Sequence, residues 1–92
     1  MTDNQYNKLA KIVSDGTTAK QLKEIIKREK FEVISTNPNN YTPLKSDYVD
    51  AVMGLLTGYN PFTRSFVWHA HFTSNLFSFP ENVQTELIKE VA

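Results

Sequence analysis

Residues 17–56, TTAKQLKEIIKREKFEVISTNPNNYTPLKSDYVDAVMGLL, decide the fold because they predict two amphipathic helices joined by a long loop. Thr18 and Gln21 have the spacing of a capping box, in which each side chain accepts a hydrogen bond from the other residue's backbone N–H. Leu22 and Ile25 then recur on one side of a 3.6-residue repeat. The sequence therefore predicts a helix that begins after Thr18 and buries this stripe.

The segment after this helix leaves the helical pattern. Residues 31–36 are rich in β-branched side chains, which favour an extended backbone. Residues 37–40, Asn-Pro-Asn-Asn, are turn-forming, because Asn tolerates left-handed conformations and Pro disfavours a helical residue before it. We expect the next helix to begin near Pro43 or Ser46, to present a broad apolar face, and to stop at Gly58.

A row of lysines lies opposite the apolar stripe of the first helix, and another lysine lies across the loop. Lysines at helical spacing can contact successive phosphates with release of counterions, and loop asparagines can reach phosphate oxygens or base edges. The candidate nucleic-acid-binding residues are Lys20, Lys23, Lys27, Lys30, Lys45, Asn39 and Asn40. The alternative interpretation is an ordinary solvated helix face.

Two segments of this stretch resemble the SAP and HeH/LEM modules. Residues 21–27, QLKEIIK, are similar to their "LKxxLK" first helix. Residues 45–52, KSDYVDAV, are similar to their second helix, in which Lys and an acidic residue precede apolar positions. The resemblance covers residues 17–56, with a longer loop that has Asn-Pro-Asn-Asn in place of the usual Gly. It implies DNA binding through the first helix, the loop and the start of the second helix, although some members bind proteins instead.

The composition is that of one folded domain spanning residues 1–92. Hydrophobic residues make up 40% of the chain, with one Trp, four Tyr and six Phe, which is sufficient for a modest core. The absence of Cys excludes disulfides and thiolate metal sites. No apolar run reaches the ~18 residues of a membrane span, and the first residues have no signal-peptide core. We therefore expect a cytoplasmic protein that makes no membrane contact.

The net charge of zero argues against a general polyanion binder, but the charge is unevenly distributed. Residues 7–30 hold seven Lys or Arg against three acidic residues, whereas residues 47–92 hold two against five. Such a molecule can dock a phosphate backbone by its first third. It can equally pair with a partner protein, or with a second copy of itself as a homodimer.

Further helices are expected at both ends of the chain. Thr2 or Asp3 can cap a first helix that ends at Asp15-Gly16. Near the other end, Ser78 and Glu81 have the spacing of a capping box for a closing helix.

Residues 62–79 have two competing interpretations. Alternation of apolar residues at 66, 68, 70 and 72 has the period of a strand, with a hairpin turn at Ser74-Asn75. This interpretation adds a short β-hairpin within residues 65–79. The flanking helices instead favour a helix, capped by Asn60 with Pro61 in its first turn. Under either interpretation the fold is a mainly α, small helical domain with a helix–extended loop–helix core.

The aromatic-rich C-terminal half offers a second functional candidate. Trp68 and Phe72 are candidate partner-binding residues, because large aromatic side chains dominate the affinity of protein interfaces. The alternative is that these side chains pack in the core, which a short chain needs.

We find no catalytic motif, metal site or cofactor site. His69 and His71 lack the third ligand that zinc requires, and no catalytic signature is present. The sequence thus predicts a small non-enzymatic DNA-binding protein. The alternative is a small protein-interaction module that regulates or inhibits a cellular protein through its aromatic-rich half.

Overall fold

Five α-helices and one β-hairpin form the fold in the part of the chain that the computed structural model describes, residues 1–39 and 41–91. The elements are α1 (Asp3–Gly16), α2 (Ala19–Glu29), α3 (Lys45–Val52), β1 (Thr57–Asn60), β2 (Ser65–Trp68), α4 (Phe72–Asn75) and α5 (Glu81–Val91). Short 3₁₀ turns, Met53–Leu55 and Leu76–Ser78, follow α3 and α4. The predicted mainly α fold is confirmed, and it includes one short β-hairpin, which lies at residues 57–68 rather than within residues 65–79.

The first two helices begin where the sequence predicts. The Thr2 hydroxyl accepts a hydrogen bond from the Gln5 N–H at 3.1 Å. Thr18 and Gln21 form the full capping box: the Thr18 hydroxyl accepts from the Gln21 N–H at 3.1 Å, and the Gln21 side chain accepts from the Thr18 N–H at 2.9 Å. All three bonds satisfy N–H groups at the helix starts that lack partners within the helix.

A close contact between α1 and α5 closes one side of the molecule. Gly16 is the last residue of α1, and a Cβ atom built there would lie 2.5 Å from Cγ2 of Val83. The Asn82 side chain donates to the Gly16 carbonyl at 3.1 Å, and the Thr17 hydroxyl donates to the Val13 carbonyl at 2.6 Å. The corner between α1 and α2 therefore depends on the absence of a side chain at residue 16.

Helix α3 packs against both α1 and α2, so all three helices contribute to one core. Leu9 and Val13 of α1, Leu22 of α2 and Val52 of α3 are fully buried, as is Leu87 of α5. At about 25 cal/mol per Å² of apolar surface removed from water, such side chains dominate the stability of a chain this short.

Strand β1 pairs with β2 in antiparallel register, with Thr57 opposite Trp68 and Asn60 opposite Ser65. The strand interpretation is therefore correct for residues 65–68, but their partner precedes them in the chain. The turn occupies residues 61–64, whereas Ser74-Asn75 ends a short helix.

Three other local predictions for this region are wrong. Asn60 does not cap a helix, because its side chain accepts from the Phe62 N–H at 2.9 Å within the hairpin turn. Gly58 does not stop α3, because it lies in β1 and has no left-handed backbone. Ser78 does not cap α5, because that helix begins only at Glu81. The Ser78 hydroxyl instead donates to Glu29 at 3.2 Å and thereby joins the 3₁₀ turn before α5 to the end of α2.

Candidate nucleic-acid interface

The row of lysines lies on the solvent side of α2. Lys20, Lys23 and Lys27 are exposed on the helix, and Lys30 follows as an exposed C-cap in a left-handed conformation with φ 59°. At 3.6 residues per turn and 1.5 Å rise, Lys20, Lys23 and Lys27 fall within an arc of roughly 60°, and the row from Lys20 to Lys30 covers roughly 15 Å along the helix axis. The three helical side chains thus leave α2 in similar directions, and Lys30 follows at the end of the helix.

These four ammonium groups are not neutralised within the described part of the chain. The ion pairs there join Lys8 to Glu90, Arg28 to Glu29 and Lys89 to Glu86. The Lys23 ammonium instead lies 5.5 Å from the centre of the Tyr48 ring on α3, where a cation is attracted by the ring face. The row therefore retains its positive charge.

Lys45 has a different environment from the other lysines. It is the first residue of α3, and its ammonium group donates to the Ser14 carbonyl at 2.7 Å near the end of α1. A cation at this position stabilises the unpaired carbonyls of the last turn of a helix. Lys45 is therefore engaged between α1 and α3, whereas Lys20, Lys23 and Lys27 share one face of α2 and Lys30 follows at its end.

The asparagines of the loop have different environments. Asn37 organises the turn, because its side chain accepts from the Asn39 N–H at 3.0 Å and donates to the Thr42 carbonyl at 3.1 Å. The side chain of Asn39 is exposed, and Asn40 lies outside the described residues. Tyr41, which sequence reasoning did not select, is 98% exposed.

Asp47 closes the loop between α2 and α3. Its carboxylate accepts hydrogen bonds from the Thr36 N–H at 3.0 Å, the Thr36 hydroxyl at 2.7 Å and the Leu44 N–H at 2.8 Å. These bonds, led by the one from the Thr36 backbone, hold the pKa of Asp47 below its ordinary value. The contact between Asp47 and Thr36 joins residues that are 11 positions apart in the chain, so it is visible only in the fold.

The two candidate partner-binding residues lie together, but Phe72 is largely covered. The Trp68 and Phe72 rings meet edge to face with centroids 5.1 Å apart. Phe72 packs against the core, while Trp68 is 38% exposed. Phe62 in the hairpin turn and Phe77 are far more exposed, at 97% and 80%. Their exposure depends on the hairpin turn and the 3₁₀ turn, which the sequence does not predict there.

The two histidines form a local hydrogen-bonded turn. The His71 N–H donates to Nδ1 of His69 at 2.9 Å, and the ring centroids are 5.8 Å apart. Across residues 1–39 and 41–91, no group of three or more His, Cys, Asp or Glu side chains could hold a metal ion. Within the same residues, every helix is too short or too polar to cross a bilayer.

The fold and this surface define a small, mainly α-helical protein with a lysine-bearing helix exposed to solvent. Comparison of the chain with family models, with curated protein sequences and with solved structures finds no match. The similarity of residues 17–56 to SAP and HeH/LEM modules therefore stays a prediction from the sequence.

Proposed function

We propose that the protein binds DNA through the lysine face of α2, formed by Lys20, Lys23, Lys27 and Lys30. The observation that carries this proposal is that all four lysines are exposed, three of them on one face of α2 and the fourth at its end, and form no ion pair with the described residues.

The dimensions of the lysine face fit a phosphate backbone. Its length of roughly 15 Å corresponds to about four phosphates of one DNA strand at 3.4 Å of axial rise. Contacts to phosphate position a protein without reading base sequence. Because the net charge is zero, we expect weak and largely non-specific binding, with a Kd of about 10⁻⁴ to 10⁻⁶ M.

Fluorescence anisotropy with a labelled DNA duplex of about 20 base pairs at ~50 mM salt tests this proposal. The decisive variant carries Lys23→Glu and Lys27→Glu. Its matched control carries Lys8→Glu and Lys89→Glu, which change the net charge equally but lie on α1 and α5. We expect the first variant to weaken binding at least about tenfold and the control to weaken it less than about threefold. Absence of binding by the wild-type protein, or equal loss in both variants, would contradict the proposal.

A protein-interaction role is the second candidate, and exposure of the hairpin favours it. Phe62 and Tyr59 are 97% and 59% exposed, and Val67 and Trp68 of β2 are also solvent-accessible. Large aromatic side chains in such positions are typical anchors of protein interfaces. A pull-down that recovers the same protein with the wild type but not with Phe62→Ser or Trp68→Ala would support this role. Light scattering on the wild type and on Phe62→Ser would identify a homodimer formed through the hairpin.

A further inference from the structure

The segment that joins α2 to the loop has the pattern of a strand without a partner strand. Residues 31–37 lie outside every helix and strand of the described chain. Along residues 31–36 the side chains alternate between partly buried and exposed, and Ile34 is 82% exposed. Alternation with a period of two indicates an extended backbone.

Both ends of this segment are fixed, but its middle is unpaired. The Phe31 N–H donates to the Ile26 carbonyl at 3.1 Å, and the Thr36 N–H donates to Asp47 at 3.0 Å. Between these anchors, the backbone groups of residues 32–35 form no hydrogen bond with the described residues. In an extended chain, the backbone groups of every second residue lie on the same edge. The Thr36 N–H donates to Asp47 of α3, so we expect the backbone groups of Glu32 and Ile34 to face α3 as well.

A groove of about 370 Å³ runs between this edge and α3. Its lining residues are Glu32, Ile34, Thr36, Asp47, Asp50 and Ala51. Ile34 and Ala51 supply apolar surface. Glu32 and Asp50 supply negative charge and have no cationic partner within salt-bridge distance among residues 1–39 and 41–91. The segment therefore offers unpaired backbone groups beside a groove that is acidic and partly apolar.

We propose that this groove binds an extended basic peptide, which adds to residues 32–35 as a second strand. Backbone hydrogen bonds to an exposed edge supply affinity, and alternate side chains supply specificity. Lysine or arginine side chains of the peptide would meet Glu32 and Asp50, and an apolar side chain between them would meet Ile34. The Asp47 bonds hold the edge in place before binding, which lowers the entropic cost of association. This proposal uses none of the lysines on α2 and stands independently of DNA binding.

The probe is a fluorescein-labelled hexapeptide, Lys-Thr-Val-Thr-Lys-Thr, whose two lysines and valine lie on one face when the peptide is extended. Its matched control carries N-methyl groups on alternate backbone nitrogens, which preserves charge and side chains but removes the hydrogen-bond donors on one edge. Anisotropy at ~50 mM salt is expected to show saturable binding of the first peptide and at least about tenfold weaker binding of the second. Equal binding of the two peptides would overturn strand addition, as would absence of saturable binding by the unmodified peptide.

Substitutions in the protein test the same backbone edge independently of changes in the peptide. Ile34→Pro removes one N–H that has no partner in the described chain, and Pro favours the extended conformation before it. We expect this variant to lose at least about tenfold in peptide affinity, and Ile34→Ala, which keeps the N–H, to lose less than about threefold. Glu32→Gln should weaken binding more than Glu81→Gln, which removes the same charge on α5. Unchanged affinity in folded Ile34→Pro would overturn the proposal, and the N-methylated peptide on the wild type keeps the test decisive if this variant fails to fold.

Discussion

Asp47 and Thr36, 11 residues apart in the chain, are joined by two hydrogen bonds to one carboxylate. The Leu44 N–H donates to the same group at 2.8 Å, so a single side chain fixes both the middle and the end of the loop between α2 and α3. Asp47 is also buried, at 4% exposure. The loop therefore depends on the charge of Asp47 for its shape.

Replacement of Asp47 by Asn tests this dependence. The amide oxygen can still accept from the Thr36 and Leu44 N–H groups, which share Oδ2, but the NH₂ group replaces Oδ1, so the Thr36 hydroxyl must turn to accept and the charge-assisted bonds become weaker neutral ones. We expect Asp47→Asn to lower the Tm by about 5–10 °C, and Thr36→Val, which removes only the hydroxyl, to lower it less. Thermal unfolding followed by circular dichroism provides the measurement. A Tm for Asp47→Asn equal to that of the wild type would show that the loop does not rely on this carboxylate.

The pH dependence of stability should reflect two carboxylates of α3 whose pKa values are shifted in opposite directions. The pKa of Asp47 is lowered by its bonds to Thr36, so its stabilising effect is complete above the ordinary value of 3.8 and is lost as the pH falls below it. Burial and the nearby Asp47 charge raise the pKa of Asp50. Its charged form therefore opposes folding, and this cost disappears as the pH falls toward 3.8.

We thus expect stability to rise slightly as the pH falls toward 4, and then to decrease below it. Urea unfolding of the wild type, Asp47→Asn and Asp50→Asn between pH 7 and 2.5 separates the two effects. Asp50→Asn should abolish the rise, and Asp47→Asn should reduce the acid loss. An acid loss of the same size in Asp47→Asn would assign it to other groups.

Gly16→Ala should destabilise the protein although alanine is the better helix former. The added Cβ would lie 2.5 Å from Val83 Cγ2, so α1 and α5 must separate or repack, at a cost of about 1–3 kcal/mol. Gly54→Ala is the matched control, since its Cβ would meet the Phe31 ring at an ordinary 3.7 Å. Denaturant unfolding should give a lower free energy for Gly16→Ala and a nearly unchanged one for Gly54→Ala. An increase for Gly16→Ala would show that this corner tolerates a side chain.

The β-hairpin is attached to the helices by an aromatic stack. The Tyr6 ring of α1 lies parallel to the Phe66 ring of β2, with centroids 4.2 Å apart. Tyr6→Ala should destabilise the protein by about 2–3 kcal/mol and loosen the hairpin, because a two-stranded hairpin alone is marginally stable. Tyr6→Phe keeps the stack and removes only the hydroxyl, which interacts with the Asp50 side chain, so it should cost about 1 kcal/mol and less than Tyr6→Ala. Amide hydrogen exchange in residues 57–68 measures the effect, and unchanged protection in Tyr6→Ala would show that other contacts hold the hairpin.

The features that the sequence predicts correctly are those set by residues that lie close together in the chain. The Thr18–Gln21 capping box and the alternation at residues 65–68 are local patterns. The partner strand, Thr57–Asn60, contains a Gly and an Asn, which favour turns, and only pairing with β2 makes it a strand. Likewise, nothing near Lys45 in the chain predicts that its ammonium group reaches Ser14, 31 residues away. The exposure of the lysines on α2 can therefore be predicted from the sequence, whereas the position of the Lys45 ammonium group cannot.

This difference between α2 and Lys45 leads to a prediction for the salt dependence of DNA binding. Four neutralised phosphates give a slope of about −3.6 for log K against log salt, or a loss of roughly 100-fold between 50 and 200 mM. Lys27→Gln should reduce the slope by about 0.9, since one phosphate contact is removed. Lys45→Gln should leave the slope unchanged, because the ammonium group is already engaged by the Ser14 carbonyl. Anisotropy titrations at several salt concentrations measure these slopes, and an equal reduction by Lys45→Gln would extend the interface across the loop to the start of α3.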